Sequence, residues 1–188
     1  KTQMPFIPFK NGRIRYSDTG TGRAVVLLHG FLENRTMWND FTPSLSKGKR
    51  VVAIDLPGHG DSDCFGYVHT MELMAEAVMA VLDALKLRKA VFVGHSMGGY
   101  VALALAELNP VRVKGLCLFF STAHADSAER KAGRDQSIAL VKQNHKSFIR
   151  VAVPLLFRPK NRKLHRDAVN ALKKEALKTP KQGVIAAL

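Results

Sequence analysis

Cysteine is scarce in this chain: Cys64 and Cys117 are the two among 188 residues. They build neither a disulfide framework nor a zinc-ligand spacing, so a reducing compartment is the default expectation and no metal is implied. Long apolar runs are missing too. The longest, Tyr100 to Ala106 and the Pro154-interrupted Val151 to Phe157, fall well short of the ~20 residues that span a bilayer. No signal peptide is legible, which points to a cytoplasmic location, although the chain opens on Lys1 and an earlier segment could have been removed. Acidic residues are few in one part only: residues 1–110 hold 10 against 12 basic ones, whereas residues 111–188 hold 5 against 17, so +12 of the net +14 lies after Pro110. Solvated helix faces account for most of such an excess, and contact with an anionic surface is the sharper expectation. No recognised motif or aromatic interleaving accompanies the charge, so no specific nucleic-acid binding is expected. Gly20-Thr21-Gly22 precedes the apolar strand Ala24 to Leu28 instead of following one, which excludes a dinucleotide-binding turn, and no cofactor is expected.

What is present is an ordinary globular composition, 46% hydrophobic and 23% charged, in a chain long enough to bury one substantial core. Its organising stretch is Gly94-His95-Ser96-Met97-Gly98-Gly99, between the apolar run Ala90-Val91-Phe92-Val93 and a helical pattern over Tyr100 to Leu108. A G-x-S-x-G sequence in that setting reads as a nucleophile elbow. The serine sits on a sharp strand-to-helix bend with its hydroxyl clear of the sheet, and the helix N-terminus lies beneath it. Side chains at Gly94 or Gly98 would collide where strand and helix approach closely. The plainer alternative is a glycine-rich turn carrying a chance serine.

Earlier in the chain, Asn11-Gly12 between Phe6-Ile7-Pro8-Phe9 and Arg13-Ile14-Arg15-Tyr16 predicts an opening hairpin. Val25-Val26-Leu27-Leu28 runs into His29-Gly30-Phe31, where the glycine lets the backbone turn an amide toward the strand's carboxyl end. The amides of Phe31 and Met97 are the candidate oxyanion donors. His29, Gly30, His95 and Phe120 are candidate pocket-lining residues, with His29 read as shaping the loop in preference to acting directly. Trp38, Phe41 and Leu45 recur at helical spacing as a packing face. Arg50 to Ile54 is a buried strand leading into Asp55-Leu56-Pro57-Gly58-His59-Gly60-Asp61-Ser62, a loop read as architecture, with His59 a satisfied loop histidine. Thr70 caps an amphipathic helix that shows Met71, Met74, Val78, Val81, Leu82 and Leu85 on one face. Val113 to Phe120 predicts a further buried strand.

A strand into His-Gly-Phe, a strand into Asp-Leu-Pro-Gly-His-Gly-Asp-Ser and a strand into Gly-His-Ser-Met-Gly-Gly, in this order, resemble an α/β-hydrolase of the lipase/esterase type over about residues 5 to 125. The resemblance implies an α/β fold: a mostly parallel sheet with flanking helices, an N-terminal hairpin and a helical cap. It implies Ser96 as nucleophile, with Phe31 and Met97 forming the oxyanion hole. A serine at this place argues against the branches that use an aspartate nucleophile, the haloalkane dehalogenases and epoxide hydrolases.

The expected organisation is a core over residues 1–125 and a basic cap or lid over residues 126–188. In the cap, Asp126 with Glu129 marks a helix start, Ile138 and Val141 continue a weak stripe, and Thr179-Pro180 separates two helices. No strand pattern follows Phe120, so the family's C-terminal strands are expected to be absent. In this family the acid and the histidine follow the serine on later strand ends. Asp126, Asp135, Asp167 and Glu175, with His124, His145 and His165, all fall in or beside cap sequence, so neither role is assignable. The expectation is a serine hydrolase of an ester-like carbonyl working through an acyl-enzyme, with this chain an incomplete catalytic unit, inactive alone. The alternatives are a ligand-binding module without turnover, or a relative of the C–C bond hydrolases or haloperoxidases. Expected partners are a small ester-like substrate and either a C-terminal fragment or a second copy at the Val113–Phe120 edge.

Overall fold

The computed structural model describes residues 5–188. β1 (Phe6–Phe9) and β2 (Gly12–Thr19) form the expected hairpin, but the turn is Lys10-Asn11, with Phe9 paired to Gly12. Lys10, the first residue of that turn, takes a positive φ of 47°. Gly12 serves a close approach instead: a Cβ there would stand 3.0 Å from both Asp63 and Phe65.

β3 (Arg23–Leu28), β4 (Lys49–Ile54), β5 (Ala90–His95) and β6 (Val113–Phe119) complete a six-stranded sheet of order β1-β2-β4-β3-β5-β6. β4, β3, β5 and β6 run parallel, and β2 joins β4 antiparallel. One face is covered by α2 (Met71–Ala84) and α3 (Met97–Leu108). There Val26, Leu28, Val52, Ile54, Phe92, Met74, Val78, Val101 and Leu105 are fully buried, each contributing about 1.5–3 kcal/mol from burial. Thr70 caps α2 as expected, its hydroxyl accepting from Leu73 N–H at 3.1 Å.

The opposite face is thinner. Trp38 packs there on Val25, Leu27, Val51 and Ala53, while Val91, Val93 and Phe119 are half-buried. The anticipated Trp38-Phe41-Leu45 face is broken into a single 3₁₀ turn over Arg35–Trp38 and the short α1 (Thr42–Leu45). Phe41 and Leu45 are therefore exposed, and Trp38 alone reaches the core. β6 is not the buried strand the sequence predicts: it lies at the sheet edge with Leu116 and Cys117 exposed.

Beyond β6, α4 (Ala128–Leu155), α5 (Pro159–Arg162), α6 (Arg166–Ala176) and α7 (Lys181–Ala187) follow, and among the described residues no further strand does. α4 is kinked at Asn144. Its cap is Ser127, whose side chain accepts from Arg130 N–H, and not Asp126. Asp126 is engaged instead by Arg134 at 2.7 Å. Val141, Ile149, Val153, Ala176 and Val184 cluster around Leu32, so the helices close over the loop that follows β3. α7 also docks on the core. His69 N–H donates to the Ala186 carbonyl at 2.7 Å, and Gly183 lies so close to Gly58 that a Cβ on either would overlap the other's backbone.

Candidate active site

Ser96 occupies the single residue between β5 and α3, with φ 49° and ψ −114°, a region that a residue with a Cβ adopts at a cost of about 1–3 kcal/mol. The surroundings hold it there. Its N–H donates to the Phe119 carbonyl at 3.1 Å, and its carbonyl accepts from the Ser121 hydroxyl at 2.8 Å. The expected glycine collisions are present: a Cβ on Gly94 would overlap the Gly98 carbonyl, and one on Gly98 would lie 2.5 Å from the Leu28 oxygen. Met97 is the first residue of the 12-residue α3, so its N–H has no partner inside the helix and carries the positive end of the helix dipole.

The loop after β3 is built to aim a second amide. His29 is fully buried; its Nε2 accepts from Leu56 N–H at 2.9 Å and its Nδ1–H donates to the Gly30 carbonyl at 2.8 Å. Glu33 N–H donates to the same carbonyl at 3.2 Å. In a trans-planar peptide the carbonyl and the following N–H point in opposite directions. Drawing the Gly30 oxygen inward therefore turns Phe31 N–H the other way. Burial holds His29 down to about pKa 4, so it is a neutral two-way connector. His59 stacks on it at 5.2 Å between ring centroids and is likewise held down to about pKa 3 by burial, with His29 beside it.

Ser96, Phe31 and Met97 all open onto one cavity of about 850 Å³. Met71, Tyr100 and Phe148 supply apolar wall, and Arg130, Arg134 and Asp126 supply a polar one from the start of α4 and the loop before it. Arg134, by its hydrogen bond, holds the Asp126 carboxyl below the usual carboxylate range. The four residues read as pocket-lining do not line this cavity. His29 lies behind the loop, bonded on both ring nitrogens. Gly30 is covered by Glu33 and His95, and His95 turns its Nδ1 to Glu33 Oε2 at 2.8 Å. Phe120, at φ 47°, points outward and is 81% exposed. His69 and His124 do reach the cavity, but His69 Nε2 already accepts from Phe65 N–H at 2.9 Å. Among the described residues no histidine bonds the Ser96 hydroxyl. The sequence reading missed Glu33; its spacing from Gly30 is the clue, since Gly30 N–H donates to Glu33 Oε2 at 2.7 Å while Glu33 N–H returns to the Gly30 carbonyl, a turn closed by both the backbone and the carboxylate.

Comparison with known proteins agrees with this geometry. The chain is similar to the pimeloyl-[acyl-carrier protein] methyl ester esterase of Neisseria meningitidis, 41% identical over 117 residues that cover 62% of this chain and 44% of that protein. It is also similar to a 2-hydroxy-6-oxononadienedioate/2-hydroxy-6-oxononatrienedioate hydrolase of Burkholderia vietnamiensis, 42% identical over 114 residues, or 56% of this chain and 39% of that one. Among solved structures, a thermophilic esterase from Thermogutta terrifontis superposes with a TM-score of 0.89 at 34% identity, covering 98% of this chain and 70% of that chain. The chain thus spans less than half the length of these two curated relatives. The family model for the alpha/beta hydrolase fold matches residues 23–155, a stretch that takes in the oxyanion loop, the elbow and the first part of the helical segment, and the chain belongs to that family.

Proposed function

We propose that this is a serine hydrolase of an ester-like carbonyl, with Ser96 as nucleophile. The observation that carries it is the backbone of Ser96, held at φ 49° between a strand and a helix at the floor of a cavity of about 850 Å³. Ser96 Oγ attacks the carbonyl carbon, and its proton passes to a base. The oxyanion forms between Phe31 N–H and Met97 N–H, the alkoxide leaves with a proton, and water then hydrolyses the acyl-serine by the same route. No described residue is assigned as the base or as its acid partner. Of the buried histidines, His29 is bonded at both ring nitrogens, and His59 and His69 each give one to a backbone partner; none bonds the Ser96 hydroxyl. The Neisseria relative, a methyl ester esterase by name, and the Thermogutta esterase support the ester reading. A second reading, a binding module without turnover, draws on the free Ser96 hydroxyl. Fluorophosphonate labelling and p-nitrophenyl ester turnover, each against a Ser96→Ala control, separate the two. Labelling and turnover that vanish in Ser96→Ala support the hydrolase, whereas ligand binding with neither supports the module.

A further inference from the structure

We infer that Glu33 is a positioning residue, whose carboxylate holds the oxyanion loop and the nucleophile turn at one fixed separation. The inference rests on the reading of Ser96, Phe31 and Met97 given above. The β3–β5 ladder ends at the pair Leu28↔Gly94. Past that pair no ladder bond joins His29-Gly30-Phe31 to His95-Ser96-Met97, since His95 is paired on its other side with Phe119 of β6, yet an oxyanion hole needs its two amides at a fixed spacing.

Glu33 supplies the missing rung. A single oxygen, Oε2, accepts from Gly30 N–H at 2.7 Å and from His95 Nδ1–H at 2.8 Å. Gly30 directly precedes Phe31, and His95 directly precedes Ser96, so the bridge joins the residues adjacent to both functional ones. The Glu33 side chain is 10% exposed, and hydrogen bonds to a carboxylate sheltered in this way are short and roughly twice as strong as neutral ones. The packing leaves no slack: a Cβ added at Gly30 would fall 2.7 Å from Glu33 Oε2 and 2.8 Å from His95 Nδ1. Glu33 does not line the cavity, so its effect reaches the substrate through the amide it aims.

The test compares Glu33→Ala and Glu33→Gln with wild type and Ser96→Ala. The measurements are the rate of fluorophosphonate labelling, read by intact mass, and kcat and KM on p-nitrophenyl acetate, all in a form of the protein that turns over ester. A displacement of about 1 Å at a reacting group costs on the order of 100-fold, so Glu33→Ala is expected to lose about 10- to 100-fold in labelling rate and kcat with KM nearly unchanged. Glu33→Gln keeps a carbonyl oxygen that can accept from both donors, and its rate is expected to recover to within about fivefold of wild type. If Glu33→Ala does not fold, Glu33→Asp, too short to span both donors, replaces it in the comparison with Glu33→Gln. Wild-type rates in Glu33→Ala overturn the inference, as does a loss in Glu33→Gln as deep as in Glu33→Ala. Equal labelling of wild type and Ser96→Ala overturns the nucleophile reading itself, and this inference with it.

Discussion

At one edge of the sheet, β1 is four residues long, carries Pro8 and is overlaid by Arg13 and Arg15 stacked on Phe6. At the other edge, β6 runs for seven residues without a proline, and Leu116 is 40% exposed beside an exposed Cys117. Short length, proline and charge are the devices that keep an edge strand from pairing with another chain, and β6 has one charged residue, Lys114, to set against its apolar ones. The difference separates two kinds of order in the molecule. Backbone geometry at the Ser96 turn is held by Phe119, Ser121 and the closely approached glycines, whereas the β6 edge offers unpaired N–H and C=O groups next to apolar side chains.

The strongest test of the well-held end is Ser96→Ala. In a form that turns over ester it is expected to remove activity by about a million-fold, the loss seen when a triad serine alone is deleted, with the melting temperature unchanged or slightly raised because a strained residue loses no packing. Residual turnover near wild type would show that the turn is only architectural.

Acid should find the same end from beneath. His29 and His59 titrate at about pH 4 and about pH 3 in the folded chain against about 6.5 unfolded. The unfolded state therefore binds more protons between those values. Stability is full above pH 6.5, falls as pH drops from there toward 4, and continues falling toward 3 through His59. The loss from His29 alone is about 3 kcal/mol. Urea midpoints at pH 7 and pH 4.5 measure it. Replacing His29 with Asn, which cannot protonate there, should flatten the slope, and an unchanged slope would mean that the buried imidazoles are not the source.

The open edge is expected to respond to charge. Leu116→Lys should reduce concentration-dependent association in sedimentation velocity without altering the far-UV spectrum, and association that persists unchanged would place the contact elsewhere. The smallest effect is expected from the basic helices: weak binding to anionic vesicles at low salt that fades by about 0.15 M, where screening acts over roughly 8 Å. Equal binding to neutral vesicles would remove charge as its cause.

Much of the well-held end is legible in the sequence because steric necessity writes it there. Gly94 and Gly98 mark places where backbones approach closely, and Gly30 one where the Glu33 and His95 side chains close in; a side chain at any of them would collide. The turn at Lys10-Asn11 shows the limit: Asn11-Gly12 is a strong local signal, yet Gly12 is needed for Asp63 and Phe65, which are distant in sequence. The cap residue of α4 misleads for a similar reason, since Asp126 is drawn off to Arg134 and the neighbouring Ser127 takes its place. His29 is legible as a residue that shapes the loop, and it is bonded there on both ring nitrogens, whereas the link between His95 and Glu33 escapes assignment because it depends on which hydrogen bonds close around the loop. Exposure is the least legible property of all: Val113 to Phe119 has the composition of an interior strand, and only the absence of a neighbour among the described residues makes it an edge.

Leu32 links the loop after β3 to the helices that follow β6. It is 2% exposed, stands at φ 63° and is the residue after Phe31, and it is buried in one apolar cluster with Val141, Ile149, Val153, Ala176 and Val184. A left-handed leucine is retained where its surroundings over-determine it, so the helices that roof the cavity also act as the clasp on the amide beneath. Parting them uncovers Leu32 at a cost of about 1.5–3 kcal/mol and frees the turn to relax toward ordinary backbone angles. The burial of Leu32 and the backbone angles of the turn at Phe31 are therefore coupled: whatever loosens the one loosens the other.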